Sequence, residues 1–246
     1  MTRPTDVQDS SDPQWWLADA LVVPTAETPG CCRVCRGTTP AEQADLCDKC
    51  GTDWRAHPEY EDAIDLVAPC TVTVSPSRWY GALWGYKRAD PAAAVQAAAL
   101  RTAFIDGANR NREAIIATLG GAADLVTVVP STTTPSPSPL LRLAQRSGAR
   151  APIQAVAQVH IGQPVPQRRL IPDPIDVDAG VRGQRVIVVE DTWVSGSRAV
   201  STAIALRRAG ATTIVVIPIA RMAYTHAMTD QYAAATQVDA RTVNGS

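Results

Sequence analysis

The sequence predicts an α/β protein with a mostly parallel twisted sheet, flanking helices and a small cysteine-rich segment near its beginning. Apolar runs typical of buried strands alternate with helical segments, and short loops join them, which is the order found in parallel sheets with right-handed crossovers. Five of the six cysteines cluster ahead of these runs. We therefore expect a tail with a short aromatic helix in residues 1–28, the cysteine-rich segment in 29–69 and the α/β domain in 70–246.

Composition limits the class of protein. The chain has 246 residues, 46% of them hydrophobic, and a formal net charge of −1. These values fit one large domain with a small appendage, and they give no overall attraction to nucleic acid or to an acidic membrane surface. No apolar run approaches the roughly 20 residues needed to span a bilayer, and the first residues lack the apolar segment of a signal peptide. We expect a cytoplasmic protein with no membrane span, and we leave its oligomeric state open.

Two Cys-x-x-Cys pairs predict a zinc ribbon. Two such pairs place four thiolates tetrahedrally around one ion, which supplies folding energy that so short a segment cannot obtain from a hydrophobic core. The expected ligands are Cys32, Cys35, Cys47 and Cys50. Because four thiolates leave no open position for a substrate, we interpret the Zn²⁺ as structural. Cys31 adjoins the first ligand and is an alternative to it, and Cys70 is most simply a small buried residue.

The segments on either side of the cysteines are predicted from their apolar spacing. Ahead of them, "PQWWLADALVV" indicates a short amphipathic helix whose Trp15, Trp16 and Leu17 pack on the main domain. Behind them, "TVTVSPSRWYGALWGYKR" has two β-like segments around a Pro and Ser turn. An Asp-Pro pair then opens a long Ala-rich helical region.

Buried strands and helices alternate through the rest of the chain. A strand is expected at Leu125–Val129, followed by a loop of Ser, Thr and Pro and a helix from about Pro139. Further strands are expected in "APIQAVAQVHIG", in "RVIVVED" and in "TTIVVIPIA". A helix that begins near Ser197 and stops at Gly210 separates the last two strands. The Pro-rich residues 163–176 are typical of a flexible excursion, and loops of that length are often lids.

The stretch "VIVVEDTWVSGSRA" is the candidate functional site. The buried strand Val186–Val189 is followed by two acids, Glu190 and Asp191, and then by a small polar loop at the start of the next helix. In open α/β sheets, ligands bind at this junction between the carboxyl end of a strand and the amino end of a helix.

The residues of this junction suit a sugar phosphate. Ser195, Gly196 and Ser197 let backbone N–H groups approach a phosphate at the helix start, and the hydroxyl groups add further donors. Adjacent carboxylates suit the vicinal hydroxyls of a ribose, one carboxylate pointing at the sugar while its neighbour orients it or serves a hydrated Mg²⁺. The alternatives are that the acids merely cap the helix and that the loop is an ordinary tight turn.

The segment "VIVVEDTWVSGS" resembles the signature that binds phosphoribosyl diphosphate (PRPP) in type I phosphoribosyltransferases. The order of parts over nearly the whole chain is similar to the ComF family of competence-associated phosphoribosyltransferase-like proteins: an aromatic helix, the paired Cys-x-x-Cys, "GYKR", "VVPST" and the signature. The resemblance implies a type I phosphoribosyltransferase-like fold. The sequence departs from the signature at Glu190, where Asp is usual, at Val194 in place of Thr or Ser, and at Arg198 in place of a small hydroxyl residue. It also lacks the Arg-Gly-rich stretch common after "VVPST" in this family.

The resemblance implies a role for individual residues. The ribose hydroxyls would be held by the catalytic pair Glu190 and Asp191. The 5′-phosphate would be bound by Thr192, Trp193, Val194, Ser195, Gly196 and Ser197. Pyrophosphate would be bound by Pro130, Ser131, Thr132 and Thr133. Lys87 or Arg88 would add charge at the pyrophosphate end, the alternative being a solvated surface role. Arg168 and Arg169 would either close over the diphosphate as a lid or form a simple exposed pair.

From the resemblance we expect transfer of ribose 5-phosphate from PRPP, bound with Mg²⁺, to an unidentified acceptor with release of pyrophosphate. No side chain indicates a general base, and the isolated histidines His57, His160 and His226 are expected to be structural. One alternative is a non-catalytic module that senses PRPP or a nucleotide or supports DNA uptake. Another is nucleic-acid binding by the zinc ribbon, in which nearby acids offset Arg33 and Arg36.

Overall fold

A five-stranded parallel sheet forms the centre of the fold. The computed structural model describes residues 23, 28–41, 44–53, 57, 59–60, 62–75, 77–132, 136–159 and 170–223. The strands are β1 (Leu66–Val67), β2 (Thr71–Val74), β3 (Leu125–Val128), β4 (Ala157–Val159), β5 (Ile175–Val177), β6 (Arg185–Trp193) and β7 (Thr213–Ala223). Across the sheet the order is β3, β6, β7, and then β1 and β2 in succession along the other edge of β7. The prediction of an α/β fold with a mostly parallel sheet is confirmed.

The helices begin where the sequence supplies capping residues. They are α1 (Arg78–Gly85), α2 (Pro91–Arg110), α3 (Arg112–Leu119), α4 (Pro139–Gln145) and α5 (Ser197–Arg208). The side chains of Ser77, Asp90 and Ser138 each accept a hydrogen bond from a backbone N–H in the first turn of α1, α2 and α4. In contrast, α5 follows Gly196, which has no side chain to cap it. Within the first turn the Ser197 N–H points to the Ser195 hydroxyl, and the next N–H groups have no capping side chain among the described residues.

Helices cover both faces of the sheet because its strands are apolar on both sides. On one face, Val215 and Ile217 of β7 share a core with the helices α1 to α4, including Trp79 and Leu100. On the other face, Val216 shares a core with α5 and with four cysteines of the N-terminal segment. The cysteine-rich segment is thus part of the same packed core as the sheet, and the sheet itself begins at β1, before residue 70.

The second β-like segment after the cysteines is wrongly predicted, because it forms the helix α1. Trp79, Leu83 and Tyr86 are all buried, and they recur at positions i, i+4 and i+7, which places them on one side of a helix. Aromatic residues favour strands, but the Ser77 cap and this spacing favour the helix.

Two other predicted strands differ in extent from the strands of the structure. Of the described residues 151–159, only Ile153 joins the main sheet, by a single bridge to Val126, and β4 pairs instead with β5 in an antiparallel arrangement. The strand expected to end at the two acids continues to Trp193, because β7 supplies backbone partners as far as Arg221. The acids therefore lie inside a strand and not after it.

Some predicted features lie outside the described residues: the aromatic helix with Trp15, Trp16 and Leu17, and the individual residues Thr133, His160, Arg168, Arg169 and His226. Among the helices that are described, none has both the length and the apolar character required to cross a bilayer.

Candidate functional site

The two acids of β6 point to opposite faces of the sheet, because successive side chains of a strand alternate. Glu190 shares its side with Val188, which belongs to the core beneath α5. Asp191 shares its side with Val189, in the core beneath α1 to α4. Both side chains are buried, at 3% and 6% exposure. The two carboxyl groups therefore lie in different surroundings and do not form one bidentate acidic surface.

Asp191 is held by the two residues that follow α1. The hydroxyl of Tyr86 donates to its Oδ2 at 2.7 Å, and Nζ of Lys87 lies 2.5 Å from the same oxygen. Burial opposes ionisation of Asp191, but the charge of Lys87 and the hydrogen bonds from both partners outweigh it, so the pKa of Asp191 lies below its usual value. Asp191 is thus an ionised acceptor that already carries a counter-ion.

Glu190 has a different electrostatic state. No hydrogen bond from the described residues reaches its Oε2, which is fully buried. Burial raises the pKa of Glu190 to about 8, with the charges of Arg198 and Lys87 opposing the rise and that of Asp191 adding to it. At neutral pH the group is therefore mostly protonated and has an O–H to donate.

The predicted phosphate-binding residues divide between the end of β6 and the start of α5. Thr192 and Trp193 belong to the strand, and the Trp193 ring is buried. Gly196 takes the left-handed conformation, with φ of 73°, a turn that favours glycine and that leads directly into α5. The hydroxyls of Ser195 and Ser197 lie 3.1 Å apart, and the Ser197 N–H points to the Ser195 hydroxyl at 3.4 Å. Two hydroxyls and the backbone N–H groups of a helix start thus meet in one loop, which is the kind of donor set that suits an anion.

The loop that follows β3 borders a cleft beside α5. The cleft is small and partly open to solvent. It is lined by Val129, Pro130, Thr132, Val159, Ile171, Pro174, Ile175, Arg198, Ser201 and Thr202. Two of the predicted pyrophosphate residues therefore share a cleft with the first turns of α5. Of the two predicted basic residues, Lys87 lies against Asp191, while Arg88 is exposed.

The four predicted zinc ligands come together. The sulfur atoms of Cys32, Cys35, Cys47 and Cys50 all lie within 4.8 Å of one another, and all four residues are buried. The Sγ atoms of Cys35 and Cys47 are 3.6 Å apart, which matches the edge of about 3.8 Å expected for a tetrahedron with Zn–S bonds of about 2.3 Å. A metal such as zinc fits this donor set.

Cys31 lies outside the cluster of four sulfurs. Its backbone forms an antiparallel bridge with Thr38, and burial raises the pKa of its thiol to about 11. The structure therefore favours Cys32 over Cys31 as the first ligand.

The structure shows contacts of three residues near the site that their sequence pattern does not predict. Tyr86 stands in "GYKR" beside Lys87, yet only its hydrogen bond to Asp191 reveals a role. Arg198 is visible in the sequence as a departure from the PRPP signature, and the structure adds that it lines the cleft. Arg221 is a charged residue inside the apolar run "TIVVIPIARMA", which is the one sequence signal of its buried contacts.

Comparisons with known proteins do not assign a family. No protein-family model matches the chain. Among the curated proteins, none matches it either. We therefore infer the function from the sequence motifs and from the geometry of the site.

Proposed function

We propose that the protein is a type I phosphoribosyltransferase-like enzyme that binds PRPP and transfers ribose 5-phosphate to an acceptor with release of pyrophosphate. The observation that carries the proposal is the buried acid pair near the end of β6, together with the short loop that leads from β6 to the amino end of α5, where Gly196 offers no capping side chain. The loop after β3 reaches the same edge of the sheet, because β3 and β6 are parallel neighbours. The proposed sites for the phosphate, the sugar and the diphosphate would thus lie side by side.

The 5′-phosphate is the group that the loop at α5 suits best. The helix dipole and the N–H groups of its first turn favour a dianion, and the hydroxyls of Ser195 and Ser197 add neutral donors. Arg198, at the second position of α5, supplies a positive charge on the cleft side of the same turn. This arrangement compensates for Val194, which has no hydroxyl where the signature has one.

The two acids would have different parts, because they lie on opposite faces of the sheet and their protonation states differ. Asp191 is an ionised acceptor, and Glu190 carries a proton below about pH 8. A hydroxyl of the sugar can then donate to Asp191, whereas Glu190 faces the core beneath α5 and would support the strand from the other side. The ammonium of Lys87 lies against Oδ2 of Asp191, so a sugar bound at Asp191 has a positive charge next to it.

The leaving diphosphate would bind at Pro130, Ser131 and Thr132, with Thr133 as a further predicted contact. Mg²⁺ bound with the diphosphate would neutralise part of the charge that develops as pyrophosphate departs. The protein's own share is to align the sugar between the two loops and to exclude water from the buried side of the ribose.

Calorimetric titration of PRPP with Mg²⁺ into the zinc-loaded protein tests the proposal. We expect binding in the wild type and a loss of about 10-fold or more in affinity for Asp191→Asn, because a hydrogen bond to a charged group contributes about 1.5–3 kcal/mol. Glu113→Gln is the matched control, since it removes an exposed carboxylate from α3. Absence of binding by a folded, zinc-loaded wild type would refute the proposed site.

A non-catalytic sensor of PRPP or a related sugar phosphate is the second candidate, and one observation favours it. Lys87 already neutralises Asp191, and Glu190 is protonated at neutral pH, so the acid pair together with Lys87 carries no net negative charge to attract a metal ion. A screen of nucleobases and amines for pyrophosphate release separates the candidates. Release with any acceptor supports the enzyme, whereas binding of PRPP without turnover across the screen supports the sensor.

A further inference from the structure

Arg221 is a buried cation in the most buried strand of the sheet. It lies in β7, among residues that are nearly all inaccessible, and is itself only 6% exposed. A guanidinium is costly to bury unless acceptors surround it. Besides the carbonyl oxygen of its neighbour Met222, Arg221 donates to two parts of the chain that are far apart in sequence: the end of β6 and the first cysteine pair.

The first set of acceptors belongs to the phosphate loop, which we define as residues 193–197. Nη1 of Arg221 donates to the carbonyl oxygens of Trp193 and Val194, both at 3.2 Å. In a planar trans peptide the carbonyl and the following N–H point in opposite directions. Two carbonyls drawn toward the guanidinium therefore turn the N–H groups of Val194 and Ser195 away from it. The carbonyl oxygens of Trp193 and Val194 therefore stay on the buried side of the loop, where they do not repel an anion.

The second set of acceptors belongs to the cysteine cluster. Nε of Arg221 donates to the carbonyl oxygen of Cys35 at 3.1 Å, and Nη2 lies 3.9 Å from its Sγ. Four thiolates around one Zn²⁺ carry a net negative charge, which a buried guanidinium offsets. The same side chain therefore contacts a metal ligand and the backbone of the phosphate loop.

Gly37 leaves room for this arrangement. A Cβ at this position would lie 2.7 Å from Nη2 of Arg221 and 3.3 Å from Sγ of Cys35. The end of an arginine side chain can usually move, but this one has acceptors on both sides and little free space. Gly51, beside the ligand Cys50, offers a comparison, because among the described residues a Cβ there meets Leu46 alone, at 3.6 Å.

We propose that Arg221 is a positioning residue that couples the metal centre of the four cysteines to the phosphate loop. A loaded metal centre fixes Cys35, Cys35 fixes the guanidinium, and the guanidinium fixes the two carbonyls of the loop. The coupling is reciprocal, so a sugar phosphate bound at the loop retains the metal. This inference rests on the proposed function for the identity of the ligand.

Zinc release from the full-length protein to a zinc-selective chromogenic chelator tests the coupling, measured with and without PRPP and Mg²⁺. In the wild type we expect PRPP to slow release by about 5-fold or more. Gly37→Ala displaces the guanidinium, and Arg221→Lys keeps the charge but cannot reach all the acceptors. In both variants we expect the slowing by PRPP to disappear. Gly51→Ala is the matched control and should retain it.

The ratio of release rates with and without PRPP separates coupling from a merely structural role. A variant that only weakens the fold releases zinc faster under both conditions and keeps the ratio. Equal ratios in the wild type, Gly37→Ala and Arg221→Lys, together with calorimetric binding of PRPP to the wild type, would overturn the coupling and leave the PRPP site standing. No calorimetric binding of PRPP to the wild type would overturn the proposed function and the coupling with it.

Discussion

Replacing Glu190 by Gln should remove a pH dependence from the stability of the protein. In the unfolded chain the carboxyl titrates near its ordinary pKa of 4.5, whereas burial raises the pKa to about 8 in the folded protein. Between these values the folded state holds one proton more than the unfolded state. The free energy of unfolding therefore falls as the pH rises, and this contribution is fully lost above about pH 8.

The magnitude follows from the size of the shift. Each pH unit between the two pKa values costs the folded state about 1.4 kcal/mol. From pH 6 to pH 8 the folded form loses part of its proton, so we expect the wild type to lose about 2 kcal/mol from this group. Glu190→Gln cannot ionise and keeps nearly the same shape, so this part of the slope disappears.

Urea denaturation at pH 6, 7 and 8 measures the effect as the difference between wild type and variant. Other titrating groups contribute equally to both proteins and cancel. Glu113→Gln, which changes an exposed carboxyl of α3, should keep the slope of the wild type. Free energies of wild type and Glu190→Gln that change in parallel from pH 6 to pH 8 would show that the Glu190 carboxyl does not carry a raised pKa.

Further expectations concern the metal centre and the packing of the helices. Cys50→Ser should lower the zinc content, measured by elemental analysis, whereas Cys31→Ser should not, because Cys31 lies outside the sulfur cluster. Gly107→Ala should lose about 3 kcal/mol of stability, since its Cβ would lie 2.6 Å from a backbone atom just before β2. Gly81→Ala, whose added Cβ has no neighbouring atom within 4 Å among the described residues, should gain about 0.5–1 kcal/mol, and thermal denaturation measures both glycine variants. Trp79→Ala should cost about 3–5 kcal/mol in urea, because the ring is fully buried.

The cysteine cluster is well predicted from sequence because its geometry is local. Each Cys-x-x-Cys pair must turn tightly to present two sulfurs to one ion, and the spacing records that turn. The structure assembles the same four sulfurs that the spacing indicates. The start of α5 is equally local, since small residues after an apolar strand and the apolar spacing beyond Ser197 both mark it.

The partners of the acids are not predictable in the same way, because they come from distant parts of the chain. Tyr86 lies 105 positions from Asp191, and Arg221 lies 186 positions from Cys35. No local pattern encodes which residues a buried acid will meet. The extension of β6 through the acids has the same origin, because it depends on the pairing with β7 and not on the propensity of "EDTW" for a strand.

The position of β7 has a consequence for the order in which the protein folds. β1 and β2 both pair with this strand, and Asp65 accepts from the Ile214 N–H across 149 positions of sequence. During synthesis, β1 and β2 therefore remain unpaired until β7 has left the ribosome, which happens only after nearly all the described chain has been made. Contacts of such long range form slowly and leave apolar strand edges exposed in the meantime. The metal-binding segment and the sheet are thus expected to fold in one late, concerted step, and a fragment that ends before β7 is expected to aggregate.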